Sequence, residues 1–595
     1  VAIAGDITGS GGDLILVNAT PTIVAQQSAG AVRSKITFPT SSADGDIAFL
    51  TTTNGAGAIA EAMRITHAGT VRVGHNQAST NVTEATADFV VADASEANIY
   101  FNDTGATSGA RTARLNFEEG ALKYQPMNDA GTSSTRSVFV LDTNSRISLS
   151  NNDGGTYNTV FGKNVGTIDA GSNYNTFIGE QVAGENTLDD AIQNTMVGYR
   201  AGYSLITGDS NTIVGRQAGL ELESGHNNTL IGMNAGATTV LGGYLVAVGN
   251  GAMVNGAVTA DADGTVAIGA SSLAALTSGA RNTAVGFQSL DSMTTGDDNL
   301  AIGYDALGNF NAAGARNIGI GNYSGDGMGT VGNHTDNIFI GHDSGGGTWA
   351  STSSNQNTAI GSYSMDAAMN GSNYNTSVGY RGLTALTEGD KNTAIGWDVM
   401  LTNTTGSNNT AIGAEALYYN STANQNVAVG EKSGAYTTGA DNTYVGFKAG
   451  FGAAGADTNN VGVGSGSLLA VTTGSYNVAV GSACLDALTT GGSNVAIGYA
   501  ALSAAGAGES SNIAIGESSM TSADEGSGSG NAINTNIAIG VNSLTGGDFG
   551  STGSRTLVDN IAIGANALNS TGVNSQTGTI AIGKDALTAL TTGDG

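Results

Sequence analysis

Five histidines, His67, His75, His226, His334 and His342, and one cysteine, Cys484, are the side chains of this 595-residue chain best suited to metal or nucleophilic chemistry. A zinc site needs several such ligands at short, set spacings, and these residues are scattered. His334 and His342 flank one short apolar segment and are the pair that could face an ion on a threefold axis; two solvated turn residues are the plainer expectation. Cys484 lies in Ser482-Ala483-Cys484-Leu485, where sister segments carry small residues, so a buried small apolar side chain is expected. Glycine-rich phosphate loops need a strand, a loop and a helix, whereas the 92 glycines here recur periodically in a sequence with no helical pattern. Asp and Asn crowd turns such as Gly296-Asp297-Asp298-Asn299, where divalent cations can gather without a dedicated site. No catalytic residue, cofactor or specific metal site is expected, and therefore no enzyme.

The elements that carry these residues are repeats. From Asn158 on, a unit recurs that reads Asn-Thr-Ala-Ile-Gly, a polar pair, Ala-Leu, and a polar turn often spelled Thr-Thr-Gly. Asn392 to Ile395 and Gly396, then Asn409 to Ile412 and Gly413, show it plainly. Counted by its glycine, the unit occurs 24 times between Gly162 and Gly583, most often 17 residues apart. Such a period is too short for a helical-pair repeat or a propeller blade and suits one coil of a parallel β-solenoid. Asn stacked on Asn can form an amide ladder. Glycine ends each strand by supplying backbone angles closed to other residues. With about 24 coils at roughly 4.8 Å each, the repeat region is expected to be about 115 Å long.

Strand alternation places Thr and Ile of each unit on one face and Ala on the other. The expectation drawn here is that Ile stacks in the core and that the small Ala face packs against other chains. Both faces being apolar, a homotrimer is the simplest closed form.

Composition agrees with this reading. Charged residues make up 12% of the chain, about half the usual share. The formal net charge of −29 argues against a nucleic-acid partner. An apolar share of 40% argues against a disordered chain, and the glycine content argues against helices. No apolar run of 18 residues occurs, so no membrane insertion by a helix is expected.

The Asn-x-Ala-Ile-Gly-x-x-Ala unit resembles the head repeat of trimeric autotransporter adhesins, a parallel β-roll of three chains whose units are usually a little shorter. The longer units ending in Thr-Thr-Gly-x-x-Asn resemble repeats of bacteriophage tail fibres, and the phrase from Met63 to Gly74 resembles one found there before a repeat shaft. The resemblance covers about Asn158–Gly595. It implies an all-β homotrimeric fibre, on a virion tail or otherwise extracellular, with other tail proteins and a host surface glycan or protein as partners. A cellular adhesin or filament subunit, and an ice- or polysaccharide-binding protein, are the alternatives.

The first 150 residues alternate like ordinary sheets and carry nine of the 20 basic residues. Two related small β domains are expected at 15–77 and 92–150, after an N-terminal segment 1–14 and joined by a linker 78–91, with the solenoid at 151–595. The chain stops in a turn, Thr591-Thr592-Gly593-Asp594-Gly595, and a solenoid end is expected to be covered.

Two features suggest binding. The residue after the repeat glycine is aromatic in seven coils, with Phe287 beside Tyr304 and Tyr380 beside Trp397 on adjacent coils; exposed rings of this kind stack on sugars, or else pack against a neighbouring chain. Coil length is the second. The longest coils hold insertions Thr521–Thr535, with Thr521, Asp524 and Glu525, and Thr545–Asp559, with Asp548, Phe549 and Arg555. A shorter one, Ser344–Asn355, carries Trp349. Insertions on solenoids tend to carry binding.

Overall fold

The computed structural model describes the strands of residues 22–148 and, from residue 157 on, all residues except 185, 311–312, 330–331, 350–351, 453–454, 524–531, 547–555, 571–574, 589, 591–592 and 595. Two units divide the chain: residues 1–161 with 168–175, and residues 162–167 with 176–595.

The first unit contains two sheets. Thr22–Gln26, Val32–Thr37, Ile47–Thr52, Ile59–Ile65, Val71–Val73 and Phe89–Val91 form one in sequence order. Its last pair is parallel and the others are antiparallel. Ala97–Asn102, Thr112–Glu118, Ala121–Met127, Phe139–Leu141 and Ile147–Ser148 form the second, antiparallel throughout. Two pairs of similar phrases in the sequence, 33–38 with 111–117 and 62–73 with 137–149, occupy matching places. Those from Arg33 and Arg111 fall on the second strand of each sheet, and those from Ala62 and Ser137 on the fourth and fifth.

The repeats form a parallel β-solenoid. Within the second unit its main sheet runs from Thr176–Ile178 to Ile580–Ile582 in strands of three residues each. Register never slips: Thr393, Ala394 and Ile395 lie opposite Thr410, Ala411 and Ile412. The described residues contain no α-helix, only one 3-10 turn at Ala260–Ala262. In the last coils a second parallel sheet of four strands appears, Ala532–Asn534, Thr556–Val558, Gln576–Thr577 and Gly593–Asp594.

The asparagines form the expected ladder. Asn409 Nδ2 donates to Asn392 Oδ1 at 3.0 Å and to the Ala423 carbonyl at 2.9 Å. Asn392 Oδ1 also accepts the backbone N–H of Asn409 at 3.0 Å. One buried amide thus ties its own coil to the coils on either side, and these bonds offset the cost of taking the amide out of water. The repeat glycines stack too. Gly396 has φ +140°, and a Cβ there would lie 2.8 Å from the Gly413 carbonyl carbon, so angle and space both exclude a side chain.

The facing of the strands is the reverse of the expectation above. Ala394 and Ala411 are fully buried, whereas Ile395 is 39% exposed and Ile412 38%. Ala, not Ile, lines the core, because the second apolar segment of each coil reaches across to meet it: Met400 and Leu417, four residues after their glycines, are fully buried. The core has fixed thickness, so the two positions trade size. Where the strand centre is large, as at Met196, Phe339 and Tyr444, the position four after the glycine is Gly202, Gly345 or Gly450, and a Cβ there would lie 2.4–2.5 Å from the large side chain.

Candidate binding site

Because Ala points inward, the long outward face of the sheet is the Thr and Ile face. Thr393 and Thr410 are half-buried beside the exposed Ile395 and Ile412. From Val461–Val463 to Ile580–Ile582 both outward positions of every strand in the main sheet are Val or Ile. A half-buried to exposed apolar stripe of this extent is uncommon on a monomeric soluble protein.

The seven aromatic residues that follow a repeat glycine are all exposed. Phe287 and Tyr304 stack with centroids 5.5 Å apart. The row does not stop there, because Tyr323 and Tyr363, one residue further along, and His342, directly after Gly341, fill the gaps. Tyr304 meets Tyr323, Tyr323 meets His342, His342 meets Tyr363 and Tyr363 meets Tyr380, at 5.1–5.9 Å. The result is a six-membered ladder on six successive coils. Trp397 lies beyond it and belongs to a different feature. Trp349 is a correction: it is only 4% exposed, donates Nε1–H to the Gly346 carbonyl at 2.9 Å and packs edge-on against Phe339 and His334. It closes the core over Phe339 and offers nothing to a receptor. The two histidines likewise separate, His334 fully buried and His342 exposed, so they do not share an ion. Thr521 is half-buried and donates its hydroxyl to the Ala500 carbonyl. Asp524, Glu525, Asp548, Phe549 and Arg555 lie outside the described residues.

Two positions of each coil bound a lengthwise groove. The second residue after the glycine takes a left-handed backbone, as Asp398 (φ 53°), Glu415 (φ 55°) and Lys432 (φ 58°) do, and its side chain faces the residues five and six after the glycine. In the coils of Gly303 to Gly361 these columns supply Asp305, Asp343, Asp326 and Asp366. Burial, then Asp343, Asp305 and Asp366, push the Asp326 carboxyl up to about 6; burial and then Asp343 push Asp366 up to about 6. Further along, the same columns become aromatic. Tyr418 meets Tyr419 edge-on at 4.6 Å, Tyr419 stacks on Tyr436 at 4.7 Å, and Tyr436 meets Phe451 edge-on at 5.0 Å. With Trp397 on one side, these rings enclose a cleft of about 210 Å³.

The charged residues of the cleft are paired. Arg381 donates Nε and Nη2 to the two carboxylate oxygens of Asp398, at 2.8 and 2.6 Å. Lys432 Nζ lies 3.7 Å from Glu415 Oε2. Burial, then Tyr419, Asp398 and Glu415, raise the Tyr418 phenol above its ordinary range, so it stays a neutral donor. Of this cleft the sequence reading named only Trp397. The missed signal was periodic: Tyr418, Tyr419, Tyr436 and Phe451 fall five or six residues after the glycines of three consecutive coils.

Cys484 is buried, donates Sγ–H to the Ala496 carbonyl, and has its thiol pushed up to about 12 by burial, which removes any nucleophilic thiolate at neutral pH. No helix of the described residues is long and apolar enough to cross a membrane. Comparison with the sequence profiles of known families, with curated proteins and with solved structures finds no match.

Proposed function

We propose that this chain is a structural and adhesive fibre: a homotrimeric viral tail fibre whose N-terminal sheets lie nearer the particle and whose solenoid reaches toward the host surface. The observation that carries the reading is the outward Thr, Val and Ile face, which runs the length of the main sheet and stays half-buried to exposed among the described residues. Such a face calls for a partner that repeats at the same spacing, and another copy of the same solenoid is the partner that does. Three copies around one axis bury all three faces and leave the aromatic and turn residues outside. Repeated weak contacts to a host glycan or protein then gain strength from multiplicity. The N-terminal sheets in this reading meet other tail proteins.

The test is the mass of the native chain in solution. A multiple of three supports the reading. A stable monomer at micromolar concentration overturns it, because the apolar face would then stand in water. Negative-stain images of the particle or cell that carries the chain separate a tail fibre from a cellular adhesin.

A further inference from the structure

We propose that the cleft formed by Trp397, Tyr419, Tyr436 and Phe451 binds a single neutral pyranose ring of a surface glycan. The inference rests on the adhesive reading for the origin of the sugar, and on the geometry of the cleft for its chemistry.

Three observations point to this ligand. The first is that the fold does not call for the rings. Tyr419 and Trp397 are exposed, Trp397 by 50%, and the coils before them carry Thr384-Ala385 and Leu401-Thr402 where this one has Tyr418-Tyr419. Two exposed rings on adjacent coils, with the half-buried Tyr418, Tyr436 and Phe451 beside them, are surface that water solvates poorly. The second is the mixture of walls. A pyranose has an apolar C–H face and a rim of hydroxyls, and it is held by stacking on rings together with a few fixed polar groups. Around the rings stand the Tyr418 hydroxyl, the Glu415 carboxylate and the Lys432 ammonium, able to accept from and donate to hydroxyls. The third is charge. The Asp398–Arg381 and Glu415–Lys432 pairs compensate one another, and the Lys448 ammonium, 5.5 Å from the centre of the Phe451 ring, adds a donor at the edge of the cleft. The same groove upstream carries Asp305, Asp326, Asp343 and Asp366, which repels acidic sugars. A space of about 210 Å³ is large enough to admit one ring.

The chain has two tryptophans, and this makes the test direct. Trp349 is buried and Trp397 lines the cleft, so fluorescence changes on titration report on Trp397. The assembled full chain is titrated with glucose, galactose, mannose and N-acetylglucosamine, and with sialic acid as the anionic control. The expected result is a saturable change with at least one neutral sugar in the millimolar range, no change with sialic acid, and binding weakened ~10-fold in Tyr419→Ala, the loss of about one stacking contact. Met233→Ala, an exposed change on a coil remote from the cleft, should bind like the parent. Native mass and circular dichroism confirm that each variant is assembled. The proposal is overturned by no saturable change with any neutral sugar, by equal binding in Tyr419→Ala, or by acrylamide failing to quench Trp397 in the assembled chain, which would mean that another protomer covers the cleft. None of these results changes the native mass, so the fibre reading and the sugar site fail separately.

Discussion

The Tyr444 hydroxyl donates to Asp457 Oδ2 at 2.5 Å, from the centre of one strand to the turn segment of the following coil, with both residues buried. Tyr444 also takes the place of the usual Ala and faces Gly450, so a polar pair sits inside an otherwise apolar stack. Burial pushes the Asp457 carboxyl up to about 6, the Tyr444 hydrogen bond pulling the other way.

This gives a pH dependence of defined sign. The folded chain keeps the Asp457 proton where an unfolded Asp, with its pKa near 4, has lost it. The resulting stability is fully present below about pH 4 and is lost as pH rises through about 6. Asp326 and Asp366, both pushed up to about 6, act in the same direction. The thermal midpoint should therefore fall between pH 4 and pH 7. Asp457→Asn should flatten part of that fall; a parallel curve for the variant would show that general repulsion among the excess acids is the whole cause.

Outward and inward strand positions should respond oppositely to charge. Ile412→Asp changes an exposed residue, so the solenoid should still fold, while native mass drops to that of a single chain. Ala411→Asp places a carboxylate in the dry core and should abolish folding of that region. If Ile412→Asp unfolds the chain and Ala411→Asp does not, the facing is reversed.

The size exchange across the core predicts a rescue. Ala411→Phe should destabilise by roughly 1–3 kcal/mol or more through overpacking against Leu417. Adding Leu417→Gly recreates the Phe339–Gly345 arrangement and should recover most of the loss, read as the denaturation midpoint of the double variant against each single one. Additive losses would show that the two side chains do not share one space.

Asn409→Leu should cost about 2–4 kcal/mol, because it strands the Asn426 N–H and the Ala423 carbonyl and breaks the bond to Asn392. Asn409→Thr should cost less, since Thr265 fills this place naturally, donating to Gly279 at 3.2 Å and accepting from Asn282 at 3.3 Å. Local hydrogen exchange in the coils of Gly396 to Gly430 is the measurement, because long repeat arrays need not unfold as one unit. Equal exchange in the two variants would remove the ladder from the account.

Solenoid class, Asn ladder and strand-ending glycine were all legible in the sequence by itself. Each rests on one residue type that must recur once per coil: only glycine fits the φ of Gly396 under Gly413, and an amide both donates to and accepts from its neighbour. Which strand face is the core was not legible. A three-residue strand of Thr, Ala and Ile is apolar on both sides, and local alternation cannot rank them. The decision came from across the coil, where Leu417 fills the space over Ala411 and leaves Ile412 outside. The exchange between Tyr444 and Gly450 was in the letters all along, as a paired change six residues apart, but it has meaning only once the coil closes. The two tryptophans show the same division. Trp349 and Trp397 are one residue type near similar glycines, yet the backbone lays Trp349 over Phe339 and leaves Trp397 beside Tyr419. The cleft itself joins residues from 397 to 451, and stacking at a spacing set by the sheet, not by sequence distance, is what brings them together.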